Sequence, residues 1–364
     1  MSFSVQVPIN SVSFGQASIA LLKEFYKAGI QPCIFPIGPV EVNGTPLTQD
    51  FANWVQSGIN KSLKFHKRET PVFKLWHIHD SLASISHKQL LYSFYELDSP
   101  TDVELNVVSN IDKVVFSSKF AAECFTDAGA KNVTNFPLGF DKDSFSQREK
   151  PFYPDGRIVF NLLGKLERRK HHAKVIKAWI KKYGNNPKYF LQCALFNPFF
   201  TGKGEMESLY QQIMQGNEHI YNVKFYPFFA TNEDYNTFLN SCDIVLAMSG
   251  GEGWGLPEFH SVALGKHAVV HNCHSYQDWA NAENSVLVDP YGKVEAYDNK
   301  FFQKGLAWNQ GNIFVFDDDA FINACESAIK RVEISPYNWE GANLQNEFTY
   351  KKMSDFIISE MEKL

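Results

Sequence analysis

The feature that most constrains this chain is an alternation, kept up from one end to the other, of short apolar runs with longer amphipathic stretches. Apolar runs at residues 3–9, 32–37, 72–78, 113–117 and 132–136 read as strands, and a second series follows at 157–163, 189–196, 223–228, 243–249 and 267–272. Between them, residues 16–28 put Ile19, Leu22 and Phe25 on one helical face and stop at Gly29. Residues 119–128, 171–183 and 232–242 read as further helices. The pattern predicts an α/β protein. Its 364 residues exceed the roughly 250–300 that one core holds, so two domains are expected. Residues 137–153 carry Pro, Gly, Asp and Ser without helical periodicity and read as the connection. The expected units are residues 1–141 and 150–337, with a last helix over about 344–364 that can pack back on the first unit. Ligands of such sheets bind outside the carboxyl ends of the strands, which directs attention to the cleft between the halves.

Composition narrows the function. A net charge of −5 argues against a general nucleic-acid binder, and 44% hydrophobic residues exclude a disordered chain. The six cysteines (33, 124, 193, 242, 273 and 325) lie too far apart for a metal knuckle or a redox pair, which points to a reducing compartment. The opening Met-Ser-Phe-Ser-Val-Gln-Val-Pro has neither the basic nor the apolar region of a signal peptide. No apolar run approaches the roughly 18 residues of a membrane span. A cytoplasmic protein without a transmembrane segment is expected.

Two motifs carry chemistry. Gly164-Lys165-Leu166-Glu167-Arg168-Arg169-Lys170 joins a strand to a helix. A glycine turn, amides at a helix start and converging cations suit a phosphate or diphosphate. The later Lys174, Lys177, Lys181 and Lys182 read as a solvated face, opposite Val175, Ile176, Trp179 and Ile180. The second motif, Ser249-Gly-Gly-Glu252-Gly253-Trp254-Gly255-Leu256-Pro257-Glu258-Phe259-His260, follows an apolar strand. Its glycines expose amides, Pro257 suits a first helical turn, and the carboxylate of Glu252 can meet a pair of hydroxyls. A sugar bearing a phosphate is the ligand these groups fit together.

Taken with Phe136-Pro137-Leu138-Gly139-Phe140-Asp141, the two motifs, about eighty residues apart, resemble the retaining glycosyltransferases of family 4, the glycosyl transferases group 1. That family has the GT-B fold, two Rossmann-like domains facing across a cleft. The resemblance implies a transfer of a sugar, of the hexosyltransferase type, from a nucleotide-diphosphate donor to an acceptor with retention of anomeric configuration. It assigns Lys165 and Lys170 to the diphosphate, with Gly164 at the turn. Glu252 falls to hydroxyls of the donor sugar, with Gly253, Trp254, Gly255 and Leu256 alongside. One position departs: the family's second Glu, which grips the ribose, is His260 here, and Glu258 lies about 200° away around the helix. In the N-terminal half the resemblance favours His79 near the donor sugar, Gly15 beside the phosphates and Glu96 on the acceptor side.

No metal site is expected, because His77-x-His79 lacks a third ligand and Asp317, Asp318 and Asp319 read as a helix N-cap. Charge stabilisation by the lysines needs no divalent ion, so metal independence and no cofactor beyond the nucleotide sugar are expected. The acceptor stays open among glycan, lipid-linked glycan, protein, small molecule and modified nucleobase. A sugar-nucleotide epimerase on the same fold, or a sugar-nucleotide-binding protein without turnover, are the alternatives.

Overall fold

The computed structural model describes residues 3–41, 48–149, 153 and 155–364; residues 150–152 of the expected connection lie outside that set. The first half builds one sheet from β1 (Ser4–Val7), β2 (Cys33–Pro36), β3 (Val72–Leu75), β4 (Gln89–Ser93), β5 (Lys113–Phe116) and β6 (Val133–Asn135). Every pair is parallel, in the order β2-β1-β3-β4-β5-β6. The second half repeats the design with β7 (Ile158–Leu163), β8 (Tyr189–Ala194), β9 (Val223–Phe225), β10 (Ile244–Ala247), β11 (His267–His271) and β12 (Val286–Val288). Their order is β12-β11-β10-β7-β8-β9, again all parallel. Central strands such as β3, β10 and β11 are buried at every residue, as apolar runs covered by helices on both faces must be. The α/β reading therefore holds.

Three local differences matter for the cleft. The first helix spans Ser13–Lys27, three residues earlier than its apolar face suggests, so Gly15 sits inside it. Gln16 N–H already bonds Val12 O at 2.8 Å, and a side chain at Gly15 would collide with Asn10. The short β4, Gln-Leu-Leu-Tyr-Ser, escapes periodicity analysis, as does the helix Gln49–Phe65, whose apolar stripe is narrow. The last segment is two helices rather than one, Leu344–Glu347 and Tyr350–Met361. Phe348, extended, ends the first, and Thr349 caps the second by accepting from Lys352 N–H at 3.2 Å.

Contacts on both flanks tie the halves together. The helix Tyr350–Met361 lies against Ser13–Lys27; Phe356 stacks on Phe136 with centroids 4.3 Å apart, and Phe140 N–H bonds Phe348 O at 2.9 Å. On the other flank, an antiparallel hairpin of β13 (Gly292–Glu295) and β14 (Asn312–Val315) reaches the first half. Asp98 accepts from Asn312 N–H and Lys293 Nζ, both at 2.8 Å, and Glu104 accepts from Asn309 N–H at 2.9 Å. Leu97 completes a small apolar cluster with Ala296, Phe302 and Ile313. Among the described residues no helix is long and apolar enough to cross a membrane.

Candidate active site

A cleft of about 410 Å³ opens between the carboxyl ends of the two sheets. Its C-terminal wall begins where β7 ends. Gly164 turns the chain with φ +102°, and its missing side chain leaves room for Lys170 Nζ, which a Cβ would meet at 3.1 Å. Arg169 is almost fully buried. Its Nε donates to Glu167 Oε2 at 2.7 Å, while its terminal nitrogens lie 3.2 Å from Glu252 Oε1 and 3.6 Å from Glu96 Oε1. Lys170 Nζ, also buried, pairs with Glu252 Oε1. Lys165 differs: its side chain is 41% exposed, 3.5 Å from Glu167 and 5.1 Å above the Phe199 ring. It is the cation on this wall that a ligand in the cleft reaches most directly.

The glycine loop supplies the facing carboxylate. Burial alone would raise the pKa of Glu252, but Lys170 and Arg169 more than reverse this and hold it well below the ordinary carboxylate value. Gly255, at φ +77°, leads into the helix Leu256–Ala263 with Pro257 in its first turn. Gly253 has a different reason to lack a side chain, since a Cβ there would come within 2.7 Å of Phe94 in the opposite half. Ser117 Oγ donates to Gly253 O at 2.6 Å, so this loop is also where the halves touch. Trp254 is buried beneath the loop and offers its carbonyl to Trp279 Nε1 at 3.1 Å.

His260 lies on the same helix, 2% exposed, against Phe145 at 4.3 Å and Phe140 at 5.7 Å between centroids. Neither ring nitrogen has a hydrogen-bond partner. Burial pushes its pKa down to about 4, so the imidazole is neutral near pH 7, with one donor and one acceptor unused. Glu258 does not line the cleft. Its carboxyl, pushed up to about 7 by burial, lies beside Gly255, near Tyr276.

The N-terminal wall is different in kind. Asn10, Ser11, Ser13, Phe14 and Gln16 come from the end of β1 and the following helix, Trp76 and His77 follow β3, and Phe94 and Glu96 follow β4. Phe14 is the hub, with centroids 5.7 Å from Trp76, 4.5 Å from His77 and 4.6 Å from Phe94.

Of the residues expected at the site, Gly164, Lys165, Lys170, Glu252, Gly253, Trp254, Gly255, Leu256, His260 and Glu96 all line the cleft. Gly15 and His79 do not. Gly15 faces Asn10 and supports the loop that lines the cleft in its place. The chain leaves β3 at Leu75 and winds into a short turn over Ile78–Asp80, so His77 and His79 do not share a strand face. His77 reaches the cleft, while His79 stacks behind it at 5.2 Å, 41% exposed and 3.1 Å from Asp80. Crowding by protein atoms lowers the pKa of His77 to about 4, with help from His79 and Lys165, although much of its surface faces the open cleft. Among the described residues no three His, Cys, Asp or Glu come together as metal ligands would, and Asp317 caps Ala320 N–H at 2.9 Å.

Sequence reasoning missed Arg169, Phe14, Trp76, Phe94 and Asn10. Arg169 hides in a run of three cations in which only burial separates it from Arg168. The aromatic residues come from three segments whose convergence no local spacing reports.

Residues 143–303, a span that includes every strand of the second sheet, match the family model described as glycosyl transferases group 1. No curated protein matches the chain. Solved structures match over its whole length. Sucrose-phosphate synthase from Thermosynechococcus elongatus does so with 14% identity and a TM-score of 0.67, covering 98% of that chain. Anabaena HepE, in complex with UDP-glucose, has 15% identity, a TM-score of 0.65 and 100% of its chain covered. A glycosyltransferase from Rickettsia africae has 12% identity, a TM-score of 0.66 and 98% of its chain covered. The two parallel sheets facing across a cleft are thus a GT-B fold, and the resemblance carried by the motifs holds.

Proposed function

We propose that this protein is a retaining glycosyltransferase that takes a sugar from a nucleotide-diphosphate donor without a divalent metal ion. The observation that carries the reading is the Glu252 carboxylate, held by Lys170 and Arg169 in the cleft beside the start of the helix Leu256–Ala263. A fixed acceptor of hydrogen bonds for sugar hydroxyls then stands next to cations and backbone amides suited to a diphosphate. HepE, with the same fold, binds UDP-glucose, and the family match covers the half that would hold the donor.

In this reading Lys165 and Lys170, with the helix start, offset charge that develops on the departing diphosphate, which is positioning and electrostatic catalysis rather than covalent chemistry. Arg169 holds Glu252 in place. Retention and hexosyl transfer come from the resemblance. His260 takes the position of the family's ribose-binding Glu, and its two unpartnered nitrogens give it the means to meet a diol.

Calorimetry with nucleotide diphosphate alone and with intact nucleotide sugar, beside assays of nucleotide release, tests the scheme. Glu252→Gln should lower turnover more than nucleotide binding, because its partner is the sugar. His260→Ala should weaken nucleotide binding, and wild-type affinity in that variant removes the ribose assignment. Transfer should persist in excess chelator. Donor bound without turnover on any acceptor would point to the binding protein instead, and an altered sugar released without an acceptor to the epimerase.

A further inference from the structure

The two walls of the cleft divide the charge unequally. The C-terminal wall brings Lys165, Arg169 and Lys170 to the cavity. Among the described residues of the N-terminal wall there is no Lys or Arg, and Glu96, its one acidic residue, already faces Arg169 at 3.6 Å. What this wall offers instead is aromatic surface from Phe14, Trp76, His77 and Phe94. Beside it stand short neutral hydrogen-bonding side chains from Asn10, Ser11, Ser13 and Gln16. The aromatic rings hold one another edge-on or tilted at 4.5 to 5.7 Å, so they form a supported surface rather than scattered side chains.

We infer that the acceptor site takes an uncharged sugar residue, the terminal ring of a neutral glycan or glycoside, and discriminates against phosphorylated sugars. This rests on the transferase reading above and gives its acceptor a chemical class. A pyranose ring has an apolar C–H face and a rim of hydroxyls. The face matches Trp76 and Phe14, and the rim matches amide and hydroxyl side chains. A phosphate monoester brought to the same wall would lose water with no cation on that wall to replace it, and would lie near Glu96. His77 does not supply the missing charge, because its lowered pKa leaves it neutral at pH 7. The cations across the cleft already face Glu167, Glu252 and Glu96, and the donor diphosphate falls to them.

The test needs no turnover, because Trp76 sits in the proposed site and its fluorescence reports occupancy. The full chain is titrated with methyl glycosides of glucose, galactose, mannose and N-acetylglucosamine, then with glucose 6-phosphate and mannose 6-phosphate. At least one neutral glycoside should give a saturable change that Trp76→Phe removes, and the 6-phosphates should bind at least about tenfold more weakly. Phe14→Ala should weaken the neutral sugar about tenfold while leaving calorimetric binding of UDP within twofold. A phosphorylated sugar that binds as well as its neutral twin overturns the inference. So does the lack of a saturable response to every neutral glycoside, or a response indifferent to Phe14→Ala. Nucleotide binding is measured separately: if UDP, GDP and ADP all fail to bind while neutral sugars behave as stated, the transferase reading falls and the sugar site stands.

Discussion

The two walls of one cleft are furnished in different ways. The C-terminal wall sets its charge in two short stretches, residues 164–170 and 252–260, where three cations face Glu167, Glu252 and the incoming Glu96. Residues of 194–199 and 227–235, Phe196, Phe199, Phe228, Phe229 and Tyr235 among them, complete it with apolar surface. The N-terminal wall is built from three separated segments and works through aromatic surface and neutral polar groups. Buried charge is strong but unforgiving, since each partner removed leaves another ion stranded. Aromatic surface is more tolerant, because each ring contributes a share of contact. The halves should therefore fail differently when disturbed.

The largest expected difference is toward acid. His172, His260, His271 and His274 are buried in the C-terminal half, and burial lowers their pKa values to about 3, 4, 4 and 3. An unfolded chain protonates these histidines near pH 6.5, whereas the native protein resists until about pH 4. The stability they leave intact above pH 6.5 therefore falls as pH drops, by about 1.4 kcal/mol per histidine per pH unit. Hydrogen exchange at pH 7 and pH 5 should show β7–β12 losing protection ahead of β1–β6. Simultaneous loss in both sheets would mean that the clasped halves unfold as one unit.

Next in size is Arg169→Ala, which strips the nearer of two cationic partners from Glu167 and one of two from Glu252. A cost of about 3–5 kcal/mol in urea denaturation is expected, with Arg169→Lys recovering only part because an ammonium cannot span the fork. A cost below about 1 kcal/mol would show that Lys170 alone holds the loop. Lys165→Ala should behave in the reverse manner. Its half-exposed side chain adds little to stability, but a charge-assisted contact of about 1.5–3 kcal/mol would disappear from transfer, about ten- to a hundred-and-fifty-fold in kcat/KM. The smallest effect is expected at His79→Ala, within about twofold in turnover, since the ring lies behind the wall that His77 forms; a larger loss would restore His79 to the site.

How much of this could be read from sequence follows the same division. Glu252 and the cations at 165 and 170 stand in short motifs, where strand, glycine turn and helix start fix geometry within a dozen residues. The departure at His260 was visible for the same reason. The α/β class was legible because apolar runs buried on both faces leave a strong signal, although β4, with polar Gln89 and Ser93 at its ends, and the exposed strand β13 carry too little of it. The aromatic wall left no local trace: Phe14, Trp76 and Phe94 meet only because β1, β3 and β4 are neighbours in the sheet. His79 shows the limit in miniature. A strand carried three residues too far put His79 rather than His77 at the cleft, because a chain turning at Leu75 and one turning at Ile78 have similar composition.

The return of the helix Tyr350–Met361 onto the first half has a consequence for how the protein is made. During synthesis the strands β1–β6 and the helix Ser13–Lys27 emerge first, yet the partners of Phe136 and Phe140 are Phe356 and Phe348, more than two hundred residues later. Gly139 completes the arrangement, since Tyr350 approaches so closely that any side chain there would collide with its backbone. On the ribosome the apolar flank of Ser13–Lys27 must wait uncovered while the whole second half is translated, at about 5–20 residues per second. The half of the protein that is born first is the half that is finished last.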